Sequence, residues 1–536
     1  MKRLIIIFTL LLFFSNNILC QPLQIKWQNC YGGSEHDIAY DLIEVDNGYF
    51  ILGNTTSFDG NVSNNHGAED GWLLRIDNKG DLIWEKCFGG MKGDGLLNIF
   101  NSPDGNYYLV GGAHSSDGSI GSDPYPTSLD YWIIKIDSDG NILWDKILGG
   151  NGLDQLWQAD VTDNGGLITV GWTGSDDGDV TDYYGLYDIW VCKVDINGDI
   201  EWDFTLGKTL SHEFAQAVIQ TSDGGYLIGG TSRPKGIGNI SCVPHSWQGE
   251  AILFKLDANG QEEWQQCYGG SGDEGITELI EVDDGYLFIG FTESNDGDVS
   301  GLHGAPLDGR DDIWIVKTDF FGNIEWQHCY GGTNDEFSNK IFQTSDKGFQ
   351  VFGITHSNNG DVSGNPSLTK ERPSIWIFKI DSTGQFLWQQ CLGGIATERV
   401  HFGVIKKSDH NFVLAGQCTY VPSGDVWCSK HGDQVNYDYW VFEVADSTVS
   451  INENTIESDI HIYPNPATST LSIELPQNFD IKNAVIEIID VCGGVILGIK
   501  PSSLSFNFDI SKLNCGLYFV KVQNDKAVSI KRIIIQ

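Results

Sequence analysis

The sequence has 536 residues, of which 65 are glycine and only 2 are methionine, while 12% are aromatic. Lysine and arginine number 32 against 73 aspartates and glutamates, so the formal net charge is −41. This charge excludes nucleic acid and anionic membranes as partners and makes cations the expected counter-ligands. Because 40% of the residues are hydrophobic, a disordered protein is excluded, and abundant glycine and aromatic residues predict short strands and tight turns.

The first 20 residues are predicted to be a secretory signal peptide. Lys2 and Arg3 precede an almost unbroken apolar run over residues 4–14, which is too short to span a bilayer. Cleavage is expected after Cys20. A lipid-bearing Cys20 is the alternative, but the bulky Leu19 before it argues against lipidation. No other segment reaches the roughly 18 apolar residues of a membrane span, so we expect an exported protein without one.

An internal repeat of about 60 residues occupies most of the chain. Seven tryptophans mark it, with separations of 57, 60, 58, 62, 62 and 62 residues: Trp27, Trp84, Trp144, Trp202, Trp264, Trp326 and Trp388. Six of them end the phrase Asp-x-x-Gly-x-x-x-Trp, which contains Asp77/Gly80, Asp137/Gly140, Asp195/Gly198, Asp257/Gly260, Asp319/Gly322 and Asp381/Gly384. Repetition on this scale indicates a repeat architecture.

Each repeat predicts four strands. Dipeptides such as Asn47-Gly48 and Asp284-Gly285 favour two-residue hairpins between the first and second strands. A longer polar loop leads to the third strand, and the Asp-x-x-Gly turn leads to the tryptophan-bearing fourth. Four strands in each of seven repeats predict an all-β, seven-bladed β-propeller over residues 21–445.

The strand count also predicts how the ring closes. The seventh repeat ends at residues 439–444 without a fourth strand, whereas residues 25–33 supply an isolated copy of that strand. We therefore expect the N-terminal strand to complete the last blade and remove an open edge. With this strand outermost, the first strands line the central channel. The long second-to-third loops then share one face with the fourth-to-first connections, and this face is the expected working surface.

The repeat resembles the glycine-rich propeller repeats of secreted and surface bacterial proteins. It also looks like the tryptophan-docking repeat of pyrroloquinoline-quinone-type propellers, although it lacks one residue between Asp and Gly. These resemblances imply the fold and carry little information about activity.

A polar linker is predicted at residues 446–458, followed by a small β-sandwich at residues 459–536. The matching phrases are Ile462-Tyr463-Pro464-Asn465-Pro466-Ala467, residues 485–490 with Gly493-Gly494, residues 508–511, residues 516–522 and the terminal residues 530–536. In this order they resemble the C-terminal sorting domain of the type IX secretion system. The resemblance implies contact with that machinery, export across the outer membrane, removal of the tail, and release or surface attachment.

An acidic residue opens the first strand of every repeat: Asp37, Asp94, Asp154, Glu213, Glu274, Glu336 and Glu398. One interpretation is a negative channel mouth for a cation or basic ligand. The other is a structural role in which each carboxylate accepts hydrogen bonds from the adjacent turn. Sevenfold repetition favours the structural role, because an active site rarely needs it.

The long loops carry a second acidic pattern around an Asp-Gly or Asn-Gly step. Its oxygen-bearing residues are Asp59, Asn61, Asp177, Asp179, Asp296, Asp298, Asn359 and Asp361. Such oxygens suit a hard cation, so calcium is the one cofactor that the sequence suggests. Ordinary turn chemistry explains the same residues, and the glutamate of an EF-hand loop is absent.

Eleven cysteines follow residue 20, and five share one repeat position: Cys30, Cys87, Cys267, Cys329 and Cys391. Equivalent positions in different blades lie beyond the reach of a disulfide, so these five are predicted to be small buried residues. Cys418 and Cys428 lie in one loop and are predicted to be able to pair.

Specific recognition is expected where the repeat is broken. Two loops depart from the pattern, with candidate ligand-binding residues Arg233, Lys235, His245, Trp247, Tyr420, Trp427, Lys430 and His431. Exposed aromatic residues beside cationic groups suit sugar stacking or a protein hot spot. The alternative is that Trp247 and Trp427 only pack their own loops.

No catalytic motif is found: the sequence has no Gly-x-Ser-x-Gly elbow, His-Glu-x-x-His helix or phosphate loop. We therefore expect a monomeric, secreted or surface propeller that binds an extracellular glycan or protein. The alternative is a propeller hydrolase or lyase acting on extracellular polysaccharide.

Overall fold

The computed structural model describes residues 23–446 except 234, 247, 308, 368, 370–371, 395–396, 420–422 and 429–435. It also describes residues 460–535 except 477–483, 490–494, 502, 511–512, 514–515 and 524–527. The predicted signal peptide and nearly all of the predicted linker lie outside these residues. The chain divides into two compact units between Ser447 and Thr448.

The first unit consists of seven four-stranded antiparallel sheets. Blade 1 contains β2 (Asp37–Val45), β3 (Gly48–Thr55), β4 (Asp70–Asp77) and β5 (Leu82–Phe88). Blade 2 contains β6 (Gly95–Asn101), β7 (Tyr107–Ala113), β8 (Asp130–Ile136) and β9 (Ile142–Leu148). Blade 3 contains β10 (Asp154–Val161), β11 (Leu167–Thr173), β12 (Asp188–Val194) and β13 (Ile200–Leu206). Blade 4 contains β14 (Glu213–Gln220), β15 (Tyr226–Ser232), β16 (Glu250–Leu256) and β17 (Glu262–Tyr268). Blade 5 contains β18 (Glu274–Val282), β19 (Gly285–Thr292), β20 (Asp312–Thr318) and β21 (Ile324–Tyr330). Blade 6 contains β22 (Glu336–Gln343), β23 (Phe349–Thr355), β24 (Ser374–Ile380) and β25 (Phe386–Leu392).

Blade 7 is built from both ends of this unit. Its strands are β26 (Glu398–Ser408), β27 (Asn411–Cys418) and β28 (Asp438–Asp446), and its outermost strand is the N-terminal β1 (Leu23–Tyr31). The antiparallel register runs from Leu23 opposite Asp446 to Tyr31 opposite Tyr439. Each first strand contacts the first strands of both neighbouring blades, so the seven sheets form a closed ring with the first strands innermost. The predicted seven-bladed propeller with N-terminal closure is confirmed.

Docking of the outer-strand tryptophan joins one blade to the next. In six cases the ring packs on the glycine of the Asp-x-x-Gly turn in the following blade, as Trp27 on Gly80, Trp84 on Gly140, Trp144 on Gly198, Trp202 on Gly260, Trp264 on Gly322 and Trp326 on Gly384. All six glycines have a positive φ. A Cβ on Gly80 would lie 2.9 Å from Cζ3 of Trp27. Glycine is therefore required twice, by the turn and by the close approach of the ring.

The second unit contains two sheets. One is formed by β29 (His461–Tyr463), β30 (Thr470–Glu474) and β33 (Ser505–Asp509), and the other by β31 (Val485–Ile489), β32 (Val495–Ile499), β34 (Gly516–Gln523) and β35 (Val528–Ile535). Leu471 and Ile473 from the first sheet and Ile486, Ile488 and Val520 from the second lie in one buried cluster. The unit is therefore a small β-sandwich, as expected.

Substitution of the docking glycine tests the contact between blades. Gly80 and Gly105 have the same φ of 84°, but a Cβ on Gly105 would meet nothing within 4 Å. We expect Gly105→Ala to cost about 1–2 kcal/mol of unfolding free energy for the backbone alone. Gly80→Ala should cost a further ~1–3 kcal/mol, because Trp27 has to move. Chemical denaturation of both variants measures the difference, and equal losses would contradict the docking role.

Candidate functional site

The Asp-Gly loops are fastened to the fourth-to-first connection of the preceding blade. The first oxygen residue accepts the N–H of the residue after the Gly-Gly pair, in Asp59–Ser34 (2.7 Å), Asp177–Asn151 (2.8 Å), Asp296–Ser271 (2.8 Å) and Asn359–Thr333 (2.9 Å). The second accepts the N–H of the first glycine, in Asn61–Gly32 (3.2 Å), Asp179–Gly149 (3.1 Å), Asp298–Gly269 (3.3 Å) and Asp361–Gly331 (3.3 Å). These bonds are the turn chemistry that the sequence offered as the alternative to calcium. Calcium binding at these loops stays a prediction.

The two loops thought to break this pattern retain its second half. Asn239 accepts the N–H of Gly207 at 2.9 Å in blade 4, and Asp425 accepts that of Gly393 at 3.1 Å in blade 7. The loop that contains Arg233 and His245 was predicted to depart from the pattern, but it lacks only the first oxygen residue, whose place is taken by Ile237. Gly238-Asn239 stands where blades 1, 3, 5, 6 and 7 have Gly-Asn or Gly-Asp and blade 2 has Gly118-Ser119.

The seven acids that open the first strands are at most 1% exposed. Six of them accept the N–H of the second glycine of the preceding Gly-Gly pair at 2.7–3.1 Å. Glu213 accepts the N–H of Lys208 at 3.3 Å and a hydrogen bond from the Ser211 hydroxyl. Since they are buried under the loops and engaged in hydrogen bonds, their geometry supports the structural alternative.

A second set of buried acids, which the sequence analysis missed, opens most of the third strands: Asp70, Asp130, Asp188, Glu250, Asp312 and Asp438. Gly149 shows how close the two sets come, because a Cβ there would lie 2.2 Å from Oδ1 of Asp130 and 2.6 Å from Oδ2 of Asp154. Burial, reinforced by the negative charge of Asp154, raises the pKa of Asp130. A proton on one of the two carboxyls relieves their repulsion.

These pKa shifts predict that the propeller is more stable in mild acid. Burial raises the pKa of Asp37 to about 6, those of Glu336 and Glu398 to about 7, and that of Glu213 to about 8. Between these pKa values and the unfolded value near 4, the folded chain holds protons that the unfolded chain has released. This stabilisation is therefore full below about pH 4 and is lost progressively as the pH rises from about 4 to 8.

We expect the melting temperature to be several degrees higher at pH 5 than at pH 8, and Glu336→Gln to reduce this difference. Calorimetry at the two pH values measures it. A melting temperature that is equal or higher at pH 8 would contradict the raised pKa values.

Two histidines link neighbouring blades on the loop face. His303 Nδ1 lies 2.7 Å from Asp312 of its own blade, and its Nε2 lies 3.3 Å from Asp361 of the next. His245 lies 3.3 Å from Glu250 and 3.5 Å from Asp298 in the same way. The structure thus places His245, a predicted ligand-binding residue, in a contact between blades 4 and 5.

Two disulfides are found among the described residues, and each joins a long loop to the outer strand of its own blade. Cys428 is bonded to Cys30, and Cys242 is bonded to Cys267. The predicted Cys418–Cys428 pair is therefore wrong, although the Cys418 sulfur lies 3.5 Å from that of Cys30. The prediction that all five equivalent cysteines are small buried residues is also wrong for Cys30 and Cys267, because both form disulfides. The five equivalent cysteines do not pair with one another, but their position faces the loop above it, as the contact of Cys87 with the Ser63 carbonyl shows at 3.3 Å.

Peptide mapping tests the assignment. A Cys30–Cys428 cross-linked peptide is expected in the native protein and in Cys418→Ser. Because this bond encloses nearly the whole propeller, Cys30→Ser should lower the unfolding free energy by about 2–4 kcal/mol. Recovery of a Cys418–Cys428 peptide would overturn the pairing.

The disulfide at Cys428 lies next to the most prominent departure from sevenfold symmetry. One loop position follows a buried valine or isoleucine in every blade, and it holds Ser63, Gly121, Thr181, Ser241, Ser300, Ser363 and Trp427. Its backbone N–H donates to an outer-strand side chain in blades 2, 3 and 4 at 2.8–3.0 Å. Trp427 keeps this bond, to Oε1 of Gln28 at 3.0 Å. Trp427 is nevertheless 74% exposed, so most of its surface is not packed against the described part of its loop.

Trp427 lies between two shallow clefts, and hydrogen bonds of Gln28 hold its loop in place. Gln28 also donates to the Asp425 carbonyl at 2.9 Å and accepts from the Trp440 indole at 3.0 Å. One cleft, of 380 Å³, is lined by Gln24, Lys26 and Gln390 among others, and the other, of 420 Å³, by Asn29 and the disulfide. We call Trp427 with Gln24, Lys26 and Gln28 the Trp427 platform.

The other predicted ligand-binding residues are not brought to this platform. Arg233 lies 4.0 Å from Asp273 near blades 4 and 5, and Lys235 is exposed in the same loop. Trp247, Tyr420, Lys430 and His431 lie outside the described residues.

The central channel is crossed by polar side chains of the innermost strands. Gln158 of blade 3 donates to Glu278 of blade 5 at 3.1 Å, and Lys340 of blade 6 lies 2.6 Å from the same carboxylate. Burial raises the pKa of Asp41 beside them to about 7. The contact between blades 3 and 5 spans the channel at this level, so a ligand in the channel would have to displace it.

Comparisons with known proteins identify the second unit. Residues 461–536 match the family model of the secretion system C-terminal sorting domain. Regulatory protein FlaEY of Caulobacter vibrioides is 23% identical over 222 residues, which is 38% of this chain and 22% of that relative's length. Among the described residues, no helix has the length and apolar character needed to cross a bilayer.

Solved structures with a similar backbone fold include Sqt1 from Chaetomium thermophilum. The match has 10% sequence identity, covers 80% of this chain and 100% of that chain, and has a TM-score of 0.40. Drosophila Plexin A in complex with Semaphorin 1b is similar at 7% identity over 79% and 88% of the two chains, with a TM-score of 0.36. The seven four-stranded sheets of the first unit and the family match at residues 461–536 together show that the protein is a seven-bladed β-propeller that carries a C-terminal secretion system sorting domain.

Proposed function

We propose that this exported propeller binds an extracellular glycan through the Trp427 platform. The sorting domain supports export by the type IX system and a place outside the cell, either released or held at the surface. The observation that carries the glycan assignment is the exposed Trp427 ring at a position where the other six blades have glycine, serine or threonine.

The chemistry of the platform favours a sugar. An indole face offers a flat apolar surface for the C–H groups of a pyranose ring, and it loses little conformational entropy on binding. Gln24 and Lys26 are exposed beside it and supply amide and ammonium groups for hydroxyls. The Gln28 contacts and the Cys30–Cys428 bond hold the loop before a ligand arrives, which lowers the cost of binding.

A screen of the purified secreted protein against a glycan array, followed by calorimetry, tests the proposal. Trp427→Ala should weaken binding of the best glycan by at least about tenfold, roughly 1.4 kcal/mol, with an unchanged melting temperature. Phe58→Ala is the matched control, because Phe58 is 64% exposed on the corresponding loop of blade 1. Equal affinity of the Trp427 variant and the native protein, or an array without any bound glycan, would contradict the proposal.

A further inference from the structure

A second departure from symmetry lies on the opposite side of the blades, in the turns between third and fourth strands. The two middle residues of the Asp-x-x-Gly turn are Asn78-Lys79, Ser138-Asp139, Ile196-Asn197, Ala258-Asn259, Phe320-Phe321 and Ser382-Thr383. Only the blade 5 turn carries two aromatic residues. Phe320 is 41% exposed and Phe321 is 72% exposed, so the fold does not account for them as core residues.

The two phenylalanines border a cleft of 620 Å³ between blades 4 and 5. Trp264 of blade 4 and Tyr286 of blade 5 also line it, and Phe320 packs edge-on to Tyr286 with ring centroids 5.3 Å apart. The volume lies within the range of small-ligand sites. We call this the blade 4–5 cleft.

Its polar lining is unbalanced in charge. The carboxylates of Asp223, Glu263 and Glu281 face one ammonium, that of Lys255, which leaves an excess of two negative charges. Lys255 lies 3.0 Å from Asp223 and 3.4 Å from Glu263. Burial raises the pKa of Tyr286, and the negative charges of the same three carboxylates raise it further.

The hydrogen-bond inventory has the same imbalance. The Lys255 ammonium is already directed at Asp223, Glu263 and the Leu256 carbonyl. The hydroxyl and backbone N–H of Ser222 both donate to Glu281, at 2.5 and 2.7 Å. Asp223 also accepts hydrogen bonds from the Thr221 hydroxyl and the Gly225 N–H, at 2.6 and 2.9 Å. Glu263 and Glu281 retain acceptor capacity, since the two oxygens of a carboxylate offer about four lone-pair sites. The ligand that complements the cleft therefore brings hydrogen-bond donors and positive charge.

We propose that the blade 4–5 cleft binds a cationic side chain, arginine or lysine, of a basic peptide segment. A guanidinium carries five donors and no acceptor, pairs with carboxylates and stacks on aromatic faces. Phe321 covers the cation, and Glu281 and Glu263 hold its N–H groups. This site is separate from the Trp427 platform and does not depend on the glycan proposal.

A variant taken from the chain's own repeat tests the site without altering charge. Phe320→Ala with Phe321→Asn converts the blade 5 turn into the blade 4 turn, Ala258-Asn259, so the turn is expected to form normally. The probe is a fluorescein-labelled tetra-arginine peptide, titrated by anisotropy into the full secreted protein at 0.15 M salt. We expect the double variant and Glu281→Gln each to weaken binding at least about fivefold, and Phe58→Ala to leave it unchanged.

A chain with a net charge of −41 attracts any polycation, so the uncharged change in the turn is the decisive arm. An unaltered affinity in the turn variant would overturn the proposal, because the peptide would then be held by general charge. A tetra-citrulline peptide that binds as tightly as tetra-arginine would also overturn it, since the cation would not be required.

Discussion

The contact on which the architecture depends is the packing of an outer-strand tryptophan on a glycine of the next blade. A propeller blade has its largest exposed edge at its outermost strand, and this contact fixes that edge against the neighbouring turn. The same glycine has the positive φ that closes the turn, so one residue serves both the hairpin within a blade and the joint between blades. Between blade 7 and blade 1 the contact is made by Trp27 and Gly80, so the N-terminal strand docks on the next blade in the same way as the other outer strands.

The loop face is organised by a second repeated device, in which loop oxygens and buried acids accept N–H groups from the fourth-to-first connections. These connections begin with a Gly-Gly pair in six cases and with Gly207-Lys208 before blade 4. The acids are costly to ionise there, yet their hydrogen bonds hold seven connections in one geometry. Such a regular frame makes individual departures informative. Trp427 and the Phe320-Phe321 pair are exposed for the same reason: each occupies a position whose backbone contacts are already supplied by the repeat, so its side chain is free to vary.

Sequence periodicity was sufficient to predict the blades, because the tryptophan spacing and the missing seventh strand are both visible in a single chain. The disulfides were not predictable, since Cys30 and Cys428 are brought together only by ring closure, and Cys242 meets Cys267 through a loop whose path the sequence does not show. The second acid set had a signal that was overlooked: an acid opens most third strands at the repeat spacing, from Asp70 to Asp438. Trp427 was found as an aromatic residue in an irregular loop, but its equivalence to Ser300 was overlooked, although Gly424-Asp425-Val426 repeats Gly297-Asp298-Val299.

Closure by the N-terminal strand also imposes an order on folding. Blades 1 to 6 are assembled from hairpins that are local in sequence, whereas β1 and β28 are separated by some four hundred residues and pair only when the rest of the ring has brought them together. Until then two strand edges lack partners and are exposed to association with other chains. The Cys30–Cys428 bond joins the N-terminal strand to the last loop of the ring, so it can form only when the ring has closed. A chain in which these two cysteines are still reduced is therefore expected to include the chains whose last blade is incomplete.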